Sequence, residues 1–218
     1  MERGPMPVRS IPLSHSSVTG RLASRPNQPA LAFESSLERD FAILHLFDPT
    51  VESVEEQPVR IDYTAPTGRK THYTPDFLVV YRSGGPSARL VEVKYKAELD
   101  RKALRYAARF EAARQYAAAR GWTFEVVTET AIRTPWLENA RFLLQYRHRP
   151  ADPGRCRRLL DALNAITTAA AGDLLRSAFT TLSEQQLGLP CLWHLVATGR
   201  ITADLDCPLT MNTVLQMA

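Results

Sequence analysis

Two strand-like segments near the middle of the chain constrain its fold more than any other feature. Residues 74–81 and 90–95 have the length and the β-branched and aromatic content of strands, and the Ser-Gly-Gly-Pro sequence at 83–86 predicts a turn between them. Beyond Asp76 the first run is apolar on both faces, as expected of a strand in the middle of a covered sheet. The pair therefore predicts the centre of a sheet with other elements packed against its faces.

Helical and strand-like segments surround this pair. An apolar spacing of helical period predicts a helix over residues 30–47, which ends ahead of a proline. A strand is predicted at 59–63, a long helix capped by Asp100 at 100–120, and a fourth strand at 123–128. The order of helix, three strands, helix and strand predicts an α/β domain with a mixed sheet flanked by helices.

Composition divides the chain into three parts. Residues 1–29 are basic and rich in Pro and Ser, which predicts a flexible arm, either a solvated tail or a segment that lies on DNA phosphate. Residues 30–148 are predicted to form the α/β domain. Residues 149–218 contain short apolar helices followed by strand-like sequence, which predicts a small, mostly helical domain of the winged-helix type that contacts partners or DNA.

The bulk composition excludes several classes of protein. Hydrophobic residues make up 44% of the 218 and charged residues 23%, an ordinary globular mixture that needs no disulfide or structural zinc. The three cysteines form no CxxC pair, so we expect reduced thiols in a cytoplasmic protein. No run approaches the roughly twenty apolar residues of a membrane span, and no secretory signal is expected. The formal net charge of +4 permits nucleic-acid binding without establishing it.

Three charged residues are predicted to lie at one edge of the central sheet. Side chains alternate along a strand, so Glu92 and Lys94 share one face, and Asp76 begins the preceding strand. An isolated buried charge costs several kcal/mol, so these groups need solvent or mutual compensation. A cation bound by the carboxylates and the backbone carbonyl of Val93 would supply it. Such hard oxygen donors suit Mg²⁺, with Mn²⁺ able to substitute.

The Glu-x-Lys pair alone is commonly a solvated surface ion pair. Asp76, sixteen residues before Glu92, makes the pattern more informative, and a helical glutamate further upstream would complete it. Glu34 and Glu38 lie at i and i+4 and share one face of the first predicted helix. Either could be an ordinary surface charge, and Glu38 could simply pair with Arg39 or Lys94.

Taken together, these segments resemble the TnsA family, the endonuclease subunits of heteromeric transposases in the PD-(D/E)xK nuclease superfamily. The segments that carry the resemblance are residues 33–39, 56–58, 73–78 and 91–94. The resemblance covers about residues 30–148 and implies a restriction-endonuclease-like fold. It also implies that Glu38, Asp76, Glu92 and Lys94 are catalytic, and that the three acids and the Val93 carbonyl bind Mg²⁺. Some relatives have Gln where this chain has Glu92.

The resemblance further implies a function and partners. Such endonucleases cut the 5′ strands of double-stranded DNA at transposon ends, while a DDE-type transposase subunit cuts and joins the 3′ strands and an AAA+ ATPase acts as regulator. Two alternatives stay open. A stand-alone restriction or repair nuclease of this fold would cut DNA without partners, and a non-catalytic adaptor would bridge ATPase and transposase. Competent residues at all four catalytic positions argue against the adaptor.

Four residues are candidate DNA contacts. Arg101, Arg105 and Arg109 form an i, i+4, i+8 row on the long predicted helix, which is either a solvated face or a row that follows DNA phosphates. His72 lies close to Asp76 in sequence and is a further candidate. The sequence contains no Ser-His-Asp or Cys-His arrangement and no Gly-rich phosphate loop, so we expect no ATP hydrolysis by the chain itself.

Overall fold

The computed structural model describes residues 19–22, 30–82 and 87–218, which fall into two compact units, Met1–Arg133 and Thr134–Ala218. The division comes earlier than the boundary predicted after residue 148, because the helix Pro135–Arg147 packs against a helix of the second unit. The turn predicted at 83–86 lies outside the described residues, and so does most of the arm predicted at 1–29. Within that arm, Gly20–Leu22 form a strand.

The first unit is a mixed sheet with helices on both faces. Its elements are β1 (Gly20–Leu22), β2 (Leu31–Phe33), α1 (Ser36–Phe47), β3 (Val51–Glu56), β4 (Ile61–Thr64), β5 (Lys70–Tyr73), β6 (Phe77–Tyr81), β7 (Ala88–Val93), α2 (Lys96–Ala118), β8 (Thr123–Val127) and α3 (Glu129–Ile132). The main sheet has the order β3-β6-β7-β8, in which only the β7–β8 pairing is parallel among the described strands. This arrangement confirms the predicted α/β class.

The alternating side chains of β6 explain how the sheet is covered. Phe77 stacks on Phe41 of α1, with ring centroids 5.1 Å apart. The next residue, Leu78, belongs to the hydrophobic cluster that contains Tyr106 and Phe110 of α2. Neighbouring residues of a strand point to opposite faces, so α1 and α2 pack on opposite sides of the sheet. Short two-stranded pairings, β1 with β2 and β4 with β5, complete the unit.

Several predicted boundaries were wrong, each for a local reason. The first helix begins at Ser36 and not at residue 30, because Ser35 caps it: its Oγ accepts from the Glu38 amide at 3.1 Å. The long helix begins at Lys96, and Asp100 does not cap it but pairs with Lys96 at 2.9 Å. That helix is interrupted at Lys102, whose φ of −117° and ψ of 20° are not helical.

The second unit consists of helices and a small antiparallel sheet. Its elements are α4 (Pro135–Arg147), α5 (Pro153–Ile166), β9 (Thr168–Ala170), α6 (Ala171–Ala178), α7 (Leu182–Ala197), β10 (Ile201–Ala203) and β11 (Val214–Met217), with the strand order β10-β11-β9. Leu159, Leu163 and Leu192 are fully buried in its core. Its assignment as a winged helix stays a prediction. In the part of the chain that is described, no helix is both long and apolar enough to span a membrane.

Candidate active site

Three of the predicted site residues meet where β6 begins and β7 ends. Asp76 directly precedes β6, Glu92 lies within β7, and Lys94 follows its last residue. The two strands are antiparallel, with Phe77 opposite Val91, so the beginning of one and the end of the other share an edge of the sheet. Strand pairing thus brings together residues that are far apart in the sequence.

The ammonium group of Lys94 is surrounded by oxygen atoms. Its Nζ lies 3.2 Å from Asp76 Oδ2 and 3.0 Å from Glu92 Oε1, and it donates to the carbonyl of Val93 at 3.0 Å. Asp76 Oδ2 also accepts from the Val93 amide at 2.8 Å. Glu92 is only 2% exposed, so Lys94 provides most of the charge compensation that this buried carboxylate needs.

Tyr73 holds the other oxygen of Glu92. Its hydroxyl donates to Glu92 Oε2 at 2.5 Å from the end of β5. Burial and the neighbouring Glu92 raise the pKa of Tyr73, so the phenol keeps its proton and remains a donor. The guanidinium of Arg109 lies over the ring of Tyr106 at 4.0 Å and near that of Tyr73 at 5.5 Å. No role was predicted for Tyr73 from the sequence, although its place directly before the Thr-Pro-Asp segment was a usable signal.

Glu38 approaches this cluster from the first turn of α1. Its Oε2 accepts from the Glu34 amide at 2.7 Å and its Oε1 from Ser35 Oγ at 2.9 Å. Burial, and then the nearby Asp76, raise the pKa of Glu38 to about 7. The same two causes raise the pKa of Glu92 to about 7, and burial raises that of Asp76. Three carboxyl groups therefore share one ammonium, and positive charge is in deficit.

The donor chemistry of the cluster fits a divalent cation. Two carboxylates and a backbone carbonyl already converge on a single positive charge, and all are the hard oxygen ligands that Mg²⁺ and Mn²⁺ prefer. Among the described residues, no group of three or more His, Cys, Asp or Glu side chains is arranged to hold a metal ion. Lys94 stands between the acids, so a divalent cation could bind here only if the ammonium moved aside.

Arg133, which the sequence analysis also missed, joins the two elements that carry the site. Its Nε donates to the buried Asp40 of α1 at 3.2 Å, and its Nη2 donates to Ser36 Oγ at 3.3 Å and to the hydroxyl of Tyr95 at 3.1 Å. Tyr95 follows Lys94 directly, so Arg133 connects the start of α1 to the segment that follows β7. No local pattern predicts a contact between residues so distant in the sequence.

The predicted arginine row is not a single straight face. Arg101 and Arg105 are exposed, but the non-helical Lys102 lies between them. Arg109 packs against aromatic rings, and its Nε is buried without a hydrogen-bond partner among the described residues. His72 is exposed on β5, next to Tyr73.

Comparison with known protein families agrees with this geometry. Residues 48–129 match the family model described as TnsA-like endonuclease N terminal. The matched segment contains Asp76, Glu92 and Lys94, whereas Glu38 lies upstream of it. The match confirms the predicted family resemblance. No curated protein matches the chain.

Proposed function

We propose that this chain, whose residues 48–129 match the model of the TnsA-like endonuclease N-terminal domain, is the nuclease subunit of a heteromeric transposase and cuts the 5′ strands at transposon ends. One observation carries the proposal. Asp76, Glu92 and the carbonyl of Val93 converge on a single cation, the Lys94 ammonium, at 3.0 to 3.2 Å. Such a cluster at a sheet edge is suited to phosphodiester hydrolysis.

Each residue of the cluster has a role in this proposal. Glu38, Asp76, Glu92 and the Val93 carbonyl would hold Mg²⁺, for which Mn²⁺ would substitute. When bound, the cation would supply an activated water and shield the charge of the phosphate. Lys94, displaced from the carboxylates, would oppose the negative charge that develops on the phosphate. Tyr73 fixes the orientation of Glu92 through its hydroxyl.

The proposed substrate is double-stranded DNA, and the proposed partners are a DDE-type transposase subunit and an AAA+ ATPase regulator. The exposed side chains of Arg101, Arg105 and His72 are proposed DNA contacts. Arg109 is proposed to act with them by supporting the aromatic rings behind Glu92. The second unit is proposed to contact partners or DNA as a winged helix.

A stand-alone nuclease is the second candidate, because every residue of the cluster comes from the first unit. The deciding experiment is a strand-resolved cleavage assay on transposon-end DNA with Mg²⁺, with and without the proposed transposase and ATPase partners. Cutting of DNA by the chain alone would favour the stand-alone enzyme. Cutting that requires the partners would favour the transposase subunit.

The same assay tests the catalytic site. We expect Asp76→Ala to abolish 5′-strand cuts in the complete reaction while 3′-strand cuts persist. The matched control is Asp161→Ala, which removes an exposed carboxylate in the second unit and should leave both cuts intact. If Asp76→Ala cuts both strands as well as the wild type, the nuclease assignment fails and the chain is better described as an adaptor.

A further inference from the structure

The β4–β5 hairpin has one face anchored and one face exposed. Ile61 and Tyr73 are buried in the cluster that includes α2. On the other face, Asp62 pairs with His72 and Thr64 pairs with Lys70, and all four side chains are exposed. The buried face anchors the hairpin, and the opposite face is polar and exposed. This exposed face is here called the outer face of the hairpin.

The outer face and the adjoining turn carry an excess of positive charge. Arg60 is paired with Asp62 at 3.2 Å, which leaves Arg69 and Lys70 as the unbalanced charges. Neither of these two has an ion pair among the described residues. The turn that presents them is tight: the Gly68 amide donates to the Ala65 carbonyl at 2.8 Å, and Gly68 has a φ of 80° that favours glycine.

The hairpin is tied directly to the candidate active site. Tyr73, at its base, donates to Glu92 at 2.5 Å. At roughly 3.3 Å per strand residue, Lys70 lies about 10 Å from Tyr73 along the strand, and the turn about 16 Å. DNA rises about 3.4 Å per base pair, so this span corresponds to roughly three to five base pairs. The charged part of the ribbon thus has the reach to contact the duplex that enters the site.

We propose that the outer face of the hairpin, with Arg69 and Lys70, binds the phosphate backbone of double-stranded DNA beside the scissile phosphate. This inference rests on the proposed nuclease function and adds a binding site to it. A two-stranded ribbon has the width of the major groove, and its basic side chains complement the phosphates that line that groove. The contact is electrostatic, so it positions the duplex without reading its sequence.

The test is the salt dependence of DNA binding, measured in EDTA so that metal binding and cleavage play no part. The probe is a fluorescent 30-base-pair duplex titrated with the full chain at several KCl concentrations. For Arg69→Ala/Lys70→Ala we expect weaker binding and a slope of log Kd against log salt that is shallower by about 1.8, because each lost phosphate contact removes about 0.9.

The control is Arg82→Ala/Arg89→Ala, an equal change of charge at the opposite end of β6 and β7. It should leave the slope unchanged. Any of three outcomes would overturn the inference. The wild type and the hairpin variant could have equal salt slopes, both variants could lose DNA affinity equally, or the wild type could fail to bind the duplex. Loss of cleavage in Asp76→Ala tests the proposed nuclease function, whereas the salt slope of the hairpin variant in EDTA tests the DNA contact, so failure of one proposal is distinguishable from failure of the other.

A second, independent observation concerns Gln57, which follows β3. Its backbone lies in the left-handed region with a φ of 45°, which is disfavoured for a residue with a Cβ atom. Its amide nitrogen donates to the carbonyl of Asp76 at 2.8 Å. Its side-chain Nε2 donates to Glu34 Oε1 at 3.2 Å. The other atom of the Gln57 amide group, its own Oε1, must therefore face away from the Glu34 carboxylate. Gln57 Oε1 is buried and accepts no hydrogen bond from the described residues.

A disfavoured backbone and an unpaired buried acceptor in one residue are typical of a functional position. We infer that Gln57 is a positioning residue of the proposed metal site formed by Asp76, Glu92 and the Val93 carbonyl. Its two hydrogen bonds hold the main chain of Asp76 and the carboxylate of Glu34 in a fixed relation. This inference also rests on the proposed function.

The test compares Gln57→Gly with Thr167→Gly, the matched control. Thr167 is the other described non-glycine residue with a positive φ, at 67°, and it lies in the second unit. Relief of the backbone should keep or raise the Tm of both variants. Only Gln57→Gly should bind Mn²⁺ more weakly, by about tenfold or more in isothermal titration calorimetry.

An affinity of Gln57→Gly for Mn²⁺ within about twofold of the wild-type value would overturn the positioning role. A fall in Tm together with the lost affinity would also overturn it, because the residue would then act through stability. The wild-type titration comes first: absence of Mn²⁺ binding there would refute the proposed metal-dependent function itself and not only the role of Gln57.

Discussion

In the absence of metal, the first unit should become less stable as the pH rises from 5 to 8. The causes are Glu92 and Glu38, because burial raises the pKa of each carboxyl group from 4.5 to about 7. A folded state with a raised carboxyl pKa binds more protons than the unfolded chain between those two values. The free energy of unfolding therefore falls as the pH rises through this window.

The magnitude follows from the size of the shift. For Glu92, a rise in pKa from 4.5 to about 7 at 1.36 kcal/mol per pH unit gives a loss of about 3 kcal/mol by pH 8, and Glu38 acts in the same direction. His45 acts in the opposite direction, because burial lowers its pKa and its contribution to stability grows as the pH rises toward 6.5. Glu98, whose pKa is lowered to about 2 by Lys102 and Tyr106, changes only below pH 4.5 and lies outside this window.

The variant Glu92→Gln isolates the effect, because it keeps the shape of the side chain and leaves His45 untouched. Urea denaturation in EDTA at pH 5 and pH 8 gives the free energy of unfolding for both proteins. We expect nearly equal stability at pH 5, and at pH 8 a variant more stable than the wild type by about 3 kcal/mol. A difference that stays below about 0.5 kcal/mol at both pH values would refute the reasoning, because Glu92 would then carry no electrostatic cost.

Two further substitutions test contacts that the sequence did not reveal. Tyr73→Phe removes the hydroxyl that donates to the buried Glu92. Chemical denaturation at pH 8 should show that the free energy of unfolding falls by about 1.5 to 3 kcal/mol, the value of a hydrogen bond to a charged group. An unchanged denaturation midpoint would mean that the contact contributes nothing to stability. Arg133→Ala leaves the buried Asp40 with Arg39 as its remaining described cation, and because Arg133 is partly exposed we expect a smaller loss of about 1 kcal/mol. Arg133→Lys should restore little of that stability, because Arg133 reaches Asp40 through Nε and Ser36 and Tyr95 through Nη2, whereas a lysine offers a single nitrogen. Full restoration would contradict the geometry.

The sequence predicted the centre of the fold well, because the signal there was strong. Cover on both faces makes β6 a continuous apolar run, and the alternation along β7 correctly grouped Glu92 with Lys94. The missed strands lack such a signal. β3 has three glutamates among its six residues, and β5 has the polar sequence Lys-Thr-His-Tyr, so neither resembles a buried strand.

Features that depend on tertiary contacts could not be predicted from local patterns. The interruption of the helix at Lys102 separates Arg101 from Arg105, although their i, i+4 spacing predicted one continuous face. Arg109 packs against the aromatic cluster around Tyr73 and therefore does not lie with the exposed residues of the predicted basic row. The contact between Arg133 and Asp40 joins elements at opposite ends of the first unit's sequence, and spacing alone contains no information about it.

The most direct test of the central claim is a crystal structure of the chain with Mn²⁺, with the anomalous signal of manganese measured. We expect an anomalous peak among Asp76 Oδ2, Glu92 Oε1 and the Val93 carbonyl, with the Lys94 ammonium displaced from the position where it now bridges these oxygens. If Mn²⁺-soaked crystals show no peak there and Lys94 still bridges Asp76 and Glu92, the cluster is a structural ion-pair network and the proposed metal-dependent nuclease is contradicted.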